Sequence, residues 1–402
     1  MTRASTTAKS STAGTALAAA KCKSLSPLIA LAVIGTCGVV MLLLSSPVLS
    51  TDRSALRSGH DIYRAACVGC HGGEGTGAER ASIGFEPPDT FPDFTRCDQT
   101  TPEEDIAWRS IIRDGGPSRG FSQIMPAFGD ALSSEQIVAV VGYLRSFCKD
   151  EVWPRGELNL PRALATEKAF PEDETVLTSS FNAQGGPGVD SELAYEHRIG
   201  RRSQLELAIP FTFAQRDTGG LTGGIGDIAV GLKHVFFAQR AEDGSRGSIF
   251  SLQGEVSLPT GNADKGFGTG ELVFTTFAAY DVLMPGNMFL QMQGGLDAPR
   301  HTQNVPRTAF LRTAFGKSIA EQNGYGRLWS PMLEVTGERD LEDGARTAWD
   351  VIPELQLTLS TRQHVRAALG FRMPVTEKAD RPRQVMLYAL WDFADGGLLE
   401  GW

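Results

Sequence analysis

The chain has 402 residues, of which 41% are hydrophobic and 21% charged, so it can form about two or three folded domains. Its formal net charge of -9 argues against a nucleic-acid-binding protein, which would show a basic patch or stripe. Six cysteines in a chain of this length are too few for a scaffold that is built from disulfides.

Residues 1–50 are predicted to be an export signal or a membrane anchor. The apolar run Leu28–Leu44 follows basic residues and precedes a polar stretch that begins at Ser45, which is the layout of a secretory signal. A transmembrane anchor is the alternative, because a run of this length is at the lower limit for crossing a bilayer. Both interpretations place the rest of the chain outside the cytoplasm, and they remove Cys22 and Cys37 from the reasoning about the fold.

Residues 67–71 read Cys-Val-Gly-Cys-His, which is the C-x-x-C-H spacing of c-type haem attachment. Two thiols on one helical turn can each add to a haem vinyl group, and the adjacent histidine can bind the iron. Half of a zinc site and a thioredoxin-like redox pair are the alternatives, but the sequence has no second C-x-x-C that would complete a zinc site. We therefore expect one covalent haem c on Cys67 and Cys70, with His71 as an iron ligand.

The sequence offers two candidates for the second axial ligand of the iron. Between residues 52 and 170, His60 is the only histidine besides His71, and Met125 is the only methionine. His60 lies on the predicted helix that leads into the motif, so its side chain should point along that helix. Met125 precedes a proline in a predicted loop, where an extended backbone can present the side chain, although a methionine that fills a gap in the core is the alternative. We expect ligation by Met125, which raises the reduction potential relative to two histidines.

Three helices are predicted around this motif. The first spans 54–66, the second begins at a capping box from Thr101 to Glu104, and the third begins at Ser133. With a methionine loop before the last helix, the predicted cytochrome c domain, residues 51–150, resembles class I cytochrome c of the small bacterial type.

The resemblance to class I cytochrome c implies specific roles for several residues. Cys67 and Cys70 would bind haem covalently, with His71 as the proximal and Met125 as the distal ligand. Gly59 and Tyr143 would lie where the first and last helices cross.

Cys97 and Cys148 are the two cysteines of this domain outside the motif. Two remaining thiols in an oxidising compartment usually pair, so we predict a disulfide between them. The alternative is two buried thiols.

The character of the sequence changes after residue 150. Residues 151–174 contain three prolines and no clear periodicity, so they are predicted to be a linker. From 175 to 402, apolar and polar residues alternate with period two in about twelve segments, which is typical of antiparallel strands with one apolar and one polar face.

Two architectures fit this alternation. In an outer-membrane barrel the apolar face contacts lipid, whereas in a soluble β domain it forms the core. Strand number, strand length and the terminal aromatic Trp402 favour a barrel of about twelve strands. The lipid face would then contain the leucines and the isoleucine of two segments, namely Leu205, Leu207, Ile209, Leu355, Leu357 and Leu359. The lumen would contain Glu206, Glu255, Glu354 and Arg366.

The segments 223–228 and 258–261, which read Gly-Gly-Ile-Gly-Asp-Ile and Leu-Pro-Thr-Gly, carry a second resemblance. They resemble outer-membrane barrels of the kind found near phenol-degradation operons. The overall plan, an all-α class I cytochrome c domain followed by an all-β barrel, resembles the fused cytochrome–porins of iron-oxidising bacteria.

The remaining polar residues of this half are predicted to have no catalytic role. Four histidines without ligand spacing are interpreted as polar strand and loop residues, namely His197, His234, His301 and His364. Asn262 and Asp264 are interpreted as loop residues, with a calcium site as the alternative.

The predicted function is one-electron transfer in the periplasm or at the outer membrane of a Gram-negative bacterium. We expect a protein that is not an enzyme, because an iron with two axial side-chain ligands has no open position for a substrate. A redox partner protein or an external donor or acceptor is implied, and the barrel would be an anchor or a conduit. The alternatives are a transport or structural barrel with a cytochrome sensor or plug, and a soluble periplasmic cytochrome subunit of an oxidase or dehydrogenase.

Overall fold

The computed structural model describes residues 58–79, 91–184, 188–215, 220–303, 305–322, 325–378 and 381–402. The predicted export signal lies outside the described residues, as do Cys22 and Cys37. Within the described part of the chain, no helix is long and apolar enough to cross a membrane. Leu56–Trp402 forms one compact unit, which contains a helical domain and a sheet.

The helical domain contains five α-helices among the residues described. They are α1 (Gly59–Ala66), α2 (Val68–His71), α3 (Cys97–Thr100), α4 (Asp105–Asp114) and α5 (Ser134–Arg145). The side chain of Ser58 caps α1, and Ser133 with Gln136 forms a capping box at the start of α5. These local signals are present in the sequence and explain where both helices begin.

The helices α1 and α5 cross at a glycine, and their apolar faces form the core of the domain. A Cβ on Gly59 would lie 2.0 Å from the Ala139 carbonyl oxygen and 2.8 Å from the Tyr143 Cβ, so only glycine allows this approach. The fully buried Ile62, Tyr63 and Val140 lie in the core beside this crossing.

The predicted start of the second long helix is wrong. Thr101 does not cap it, because the Thr101 hydroxyl donates to the Cys97 carbonyl and ends the short helix α3. The long helix α4 begins four residues later, at Asp105, whose backbone N–H donates to the Glu157 carboxylate at 3.1 Å. A residue 52 positions away in sequence therefore replaces the local cap, which a local motif could not indicate.

The second half forms an antiparallel sheet of fourteen strands among the residues described. These strands are β1 (Glu174–Asn182), β2 (Gly188–Ile199), β3 (Ser203–Gln215), β4 (Leu221–Ile225), β5 (Ile228–Arg240), β6 (Gly247–Leu258), β7 (Val273–Met284), β8 (Met288–Pro299), β9 (Thr308–Lys317), β10 (Ile319–Gln322), β11 (Tyr325–Asp340), β12 (Ala348–Thr358), β13 (Val365–Pro374) and β14 (Gln384–Asp392).

Twelve of these described strands close into a barrel, while β4 and β10 are short additions on β3 and β11. The first and last strands pair, with Glu174 opposite Asp392. The pairing of β9 with β11 completes the ring. The predicted fold class, an all-α cytochrome c domain followed by a barrel of about twelve strands, is confirmed. Trp402, however, is not on the last strand, because β14 ends at Asp392.

The two faces of the barrel are those that the alternation predicts. Leu205, Leu207 and Leu355 are exposed on the outer surface. Glu206 and Glu354 are buried and point into the lumen. Alternation along a strand places these two sets on opposite faces.

The predicted linker has a role that the sequence did not indicate. Residues 158–172, here called the lumen segment, enter the barrel and are almost entirely buried. Side chains of the barrel wall accept hydrogen bonds from the backbone N–H groups of this segment. The donors and acceptors are Arg162 to Gln356, Leu164 to Glu354, Ala165 and Thr166 to Glu334, Glu167 to Gln293, Ala169 to Asp281, and Glu172 to Gln204.

Ion pairs add to these backbone contacts of the lumen segment. Arg162 donates to Glu174 at 2.8 Å and to Glu196 at 2.6 Å, so one guanidinium joins the segment to β1 and β2. Lys168 pairs with Glu172 within the segment. Buried polar groups are tolerated only when they are paired, and the wall supplies the partners.

Candidate functional site

His71 is the last residue of α2 and lies in an aromatic environment. Its ring centroid is 5.1 Å from that of Phe94 and 6.0 Å from that of Phe91. Its Nδ1 atom is buried and has no hydrogen-bond partner among the residues described. Burial lowers the pKa of His71 to about 4, so the imidazole is neutral near pH 7. A neutral imidazole with a free nitrogen is the state in which histidine binds iron.

The two thiols of the motif lie on the same turn as His71. Cys67 and Cys70 are free and partly buried, and the backbone N–H groups of Cys70 and His71 both donate to the Cys67 carbonyl, at 3.1 and 2.9 Å. Burial, with a contribution from Cys70, raises the pKa of the Cys67 thiol to about 11. Two free thiols beside an unpartnered histidine form the donor set of a c-type haem site, so the residues present fit that group.

Tyr63 supports the motif from α1, a role that the sequence analysis did not assign. It is fully buried, and its hydroxyl donates to the Gly72 carbonyl at 2.6 Å. Its ring contacts those of Tyr143 and Phe147 at centroid distances of 5.3 and 5.4 Å. Burial raises the pKa of Tyr63 to about 12, so it remains a hydrogen-bond donor. In the sequence, the indication of this role was the position of Tyr63, four residues before the first cysteine of the motif.

Met125 lies in the loop that follows α4 and packs near the same aromatic side chains. It is half-buried and packs against the core that contains Phe94, which also contacts His71. Its carbonyl accepts a hydrogen bond from the Gly116 N–H at 3.0 Å, so the loop folds back on the end of α4. Gly115 has φ of 83°, a conformation that favours glycine at this turn.

The other candidate ligand, His60, is exposed on α1. Its Nδ1 lies 3.2 Å from the Asp61 carboxylate, and its ring stands edge-on to Tyr143. The helix therefore directs the His60 side chain to solvent, whereas Met125 is directed to the core.

A disulfide joins Cys97 at the start of α3 to Cys148 just after α5, with their Cα atoms 5.2 Å apart. This bond ties the start of the middle helices to the end of the last helix.

A buried ion network joins α4 and α5 to the chain that leads into the lumen segment. Arg145 donates to Asp105 at 2.8 Å and lies 4.0 Å above the Trp108 ring. Arg155 donates to the same Asp105 carboxylate at 2.7 Å. Burial opposes ionisation of Asp105, but the two guanidiniums hold its pKa below the usual value. Arg155 lies three residues before the lumen segment, so the network ties the helical domain to the chain that enters the barrel.

The histidines of the second half have local hydrogen-bond partners. His197 contacts Asp173 at 2.7 Å, His234 contacts Ser203 at 2.9 Å, and His301 contacts Glu271 at 2.9 Å. His364 lies between the Ser360 hydroxyl and the Gly397 carbonyl.

The Asn262 side chain accepts a hydrogen bond from the Lys265 N–H and caps a short turn. In the same loop region, the Asp227 carboxylate accepts from the backbone N–H groups of Gly261 and Thr269.

Fold and site together define a cytochrome c domain that is joined to a closed antiparallel β-barrel. Residues 54–144 match the family model described as cytochrome c oxidase, cbb3-type, subunit III. This match covers the helical domain and implies a c-type haem. Among curated proteins, no match to the chain was found.

The solved structures similar to this chain include an outer membrane channel and a porin. An outer membrane channel from Pseudomonas putida F1 is 13% identical over 58% of this chain and 99% of its own, with a TM-score of 0.40. The KdgM porin is 10% identical over 55% of this chain and 99% of its own, with a TM-score of 0.34. LpxR from Salmonella typhimurium is 9% identical over 55% of this chain and 100% of its own, with a TM-score of 0.37. The assignment as a barrel rests on the strand pairing within this chain.

Proposed function

We propose that this protein transfers single electrons through one covalently bound c-type haem at the periplasmic end of an outer-membrane barrel. Cys67 and Cys70 would hold the haem, and His71 and Met125 would supply the protein ligands to its iron. When bound, the haem would supply an iron whose oxidation state changes by one unit. The observation that carries the proposal is the buried, unpartnered His71 nitrogen beside two free thiols.

The protein residues around the iron define its reactivity in this proposal. Two side-chain ligands leave no open position for a substrate, so the protein is a carrier and not an enzyme. The apolar environment of Phe94 and Trp108 excludes water and favours the less charged state of the site, which raises the potential together with methionine ligation.

The outer surface of the barrel supports insertion in a lipid membrane. Leu232 is 52% exposed, Phe371 50% and Phe315 51%, and they belong to strands spread around the ring. A soluble protein rarely exposes a continuous apolar surface of this kind, whereas an apolar band in contact with lipid is the normal feature of a membrane barrel.

The short turns of the barrel support a periplasmic position for the haem domain. Arg201, in the turn 200–202, pairs with Asp150 of the helical domain at 2.7 Å. Arg362, in the turn 359–364, donates to the Gly120 carbonyl at 2.6 Å. The opposite end of the barrel has longer connections, such as 259–272. In outer-membrane barrels the short turns face the periplasm.

The lumen segment supports a role of the barrel as an anchor and not as an open conduit. It fills the lumen with residues 158–172 and is held by wall side chains on seven strands, namely β3, β7, β8, β11 and β12, and β1 and β2 through Arg162. A cavity of about 390 Å³ remains beside it, lined by residues that include Glu192 and Arg312. This polar cavity favours the second candidate function, a transport barrel with a cytochrome plug.

Cell fractionation combined with haem staining tests the proposal. The outer-membrane fraction should contain a haem-stained band on a denaturing gel, and the Cys67→Ala/Cys70→Ala variant should show the protein without the stain. Reversible one-electron reduction of the purified protein should follow. Recovery in the soluble periplasmic fraction would favour the soluble cytochrome subunit, and an unstained wild-type band would refute the cytochrome function.

A further inference from the structure

The loop that contains Met125 is closed by its own backbone hydrogen bonds. The Phe121 N–H donates to the Gly116 carbonyl at 2.9 Å, and the Gly116 N–H donates to the Met125 carbonyl at 3.0 Å. A Cβ on Gly116 would lie 2.3 Å from the Ser122 carbonyl oxygen, so the two arms of the loop are in direct contact. We call residues 115–125 the methionine loop. Because its arms are bonded to each other, a displacement at Phe121 moves Met125.

The barrel contacts the far end of the methionine loop through Arg362. The Arg362 Nη2 donates to the Gly120 carbonyl at 2.6 Å, and its guanidinium lies 4.3 Å above the Phe121 ring. In return, Arg119 donates to the Arg362 carbonyl at 3.2 Å. The Arg362 side chain is only 12% exposed, so its guanidinium is largely shielded from water.

The C-terminal residues complete this contact. The Gly401 carbonyl accepts hydrogen bonds from the Thr361 N–H and hydroxyl, both at 2.7 Å. Glu400 pairs with Arg362 at 2.8 Å. A Cβ on Gly120 would lie only 2.4 Å from the Gly401 Cα, so the methionine loop packs directly on the chain end.

We propose that Arg362 is a positioning residue for the distal haem ligand: the barrel holds the methionine loop at Gly120 and Phe121 so that Met125 stays on the iron. The inference rests on the proposed function, because it requires Met125 as a ligand. A loop that is already ordered loses less conformational entropy when its side chain binds, so the ligated state is favoured. The barrel would thus contribute to the redox site as well as to its anchoring.

The Arg362→Ala variant tests this role in the full-length, haem-loaded protein in detergent. Two readouts report the sixth position: the weak sulfur–iron absorption band of the oxidised protein, and binding of carbon monoxide to the reduced protein. Loss of a charge-assisted hydrogen bond should shift the equilibrium from bound to open methionine about tenfold or more. The band should weaken and carbon monoxide should bind more tightly by the same factor.

Arg201→Ala is the matched control. It removes a different ion pair between the barrel and the helical domain, Arg201 with Asp150, at a turn other than the one that carries Arg362. We expect its sulfur–iron band and carbon monoxide affinity to equal those of the wild type. If both variants changed these readouts equally, a general loosening of the domain junction would explain the effect, and the specific role of Arg362 would be wrong.

Phe121→Ala removes the ring under the guanidinium and leaves the barrel sequence unchanged, so it tests the inference even if Arg362→Ala fails to form a barrel. It should change both readouts in the same direction as Arg362→Ala, and the double variant should be less affected than the sum of the two. If the sulfur–iron band of both single variants equals that of the wild type, the role of Arg362 is wrong, whereas Met125 ligation is unaffected. A haem-stained wild type without the band would overturn Met125 ligation and this inference together.

Discussion

At the residue scale, some side chains of the haem site lie on one helical turn, whereas others come from different elements of the domain. Cys67, Cys70 and His71 are neighbours on one helical turn, so their sequence spacing already defines their geometry. Tyr63 and Phe94 reach the same site from other elements, through the hydrogen bond to Gly72 and the ring contact with His71. These supporting residues have no motif, and only the packed domain brings them to the site.

The first prediction concerns Met125. Replacing it by alanine should abolish the sulfur–iron absorption band and lower the reduction potential, because a thioether ligand stabilises reduced iron. Absorption spectroscopy and a potentiometric titration measure both effects. His60→Ala is the control, since the exposed His60 side chain should leave both quantities unchanged. An unchanged spectrum in Met125→Ala together with an altered one in His60→Ala would reverse the assignment.

At the element scale, Glu157 stabilises the start of a helix that is far from it in sequence. The residues that follow Glu157 fill the lumen of the barrel. Glu157 accepts from the first N–H of α4, and residues 158–172 continue from it into the barrel. The helix that carries Trp108 and the segment that fills the lumen are therefore consecutive parts of one structure. Two predictions belong to this scale.

The second prediction concerns the disulfide that joins α3 to the end of α5. Cys97→Ser/Cys148→Ser removes a crosslink between residues 51 positions apart, which stabilises the folded state by about 4 kcal/mol in the chain-entropy model. Denaturant unfolding of the helical domain, followed by the haem absorbance, should show this loss. Wild-type protein treated with a reductant should behave like the variant, and equal stability of all three would contradict the prediction.

The third prediction concerns the lumen segment. Glu334 accepts hydrogen bonds from the N–H groups of Ala165 and Thr166 and from the Thr166 hydroxyl. Glu334→Ala leaves these donors without their partner, at a cost of about 1–3 kcal/mol for each unsatisfied group, and should loosen the segment. Conductance in a planar lipid bilayer should then rise above that of the wild type.

Glu338→Ala, on the same strand, is the control for Glu334→Ala. Glu338 lines the cavity that remains beside the lumen segment, so this variant also removes a carboxylate from the lumen. A wild-type protein that already conducts as strongly as Glu334→Ala would favour the transport function.

At the scale of the whole molecule, the alternation of apolar and polar residues along the strands gives the barrel two different surfaces. The outer surface is apolar, and the lumen is polar and filled by the chain itself. A closed ring has no unpaired strand edge, so its backbone groups are satisfied without water.

The fourth prediction follows from this closure. Leu207→Lys places a charge on the outer surface of β3 and should destabilise the barrel in a bilayer by about 2–4 kcal/mol at mid-depth, because lipid cannot solvate it. Unfolding in lipid vesicles and the heat-dependent mobility on SDS gels measure the effect. Glu206→Gln, on the neighbouring inward position, keeps a polar group that can accept from Gln253 and should cost less. Equal costs for the two variants would contradict the assignment of the faces.

Features that depend on residues close together in the chain can be predicted from the sequence. The C-x-x-C-H spacing of residues 67–71 predicts a haem attachment site, Ser133 marks the start of the last helix, and the period of two assigns the two faces of each strand. Only the tertiary structure decided the start of α4, the path of residues 158–172 through the lumen, and the contact of Arg362 with the methionine loop. These three features depend on hydrogen bonds between groups far apart in sequence, whose partners are brought together only when the whole chain folds.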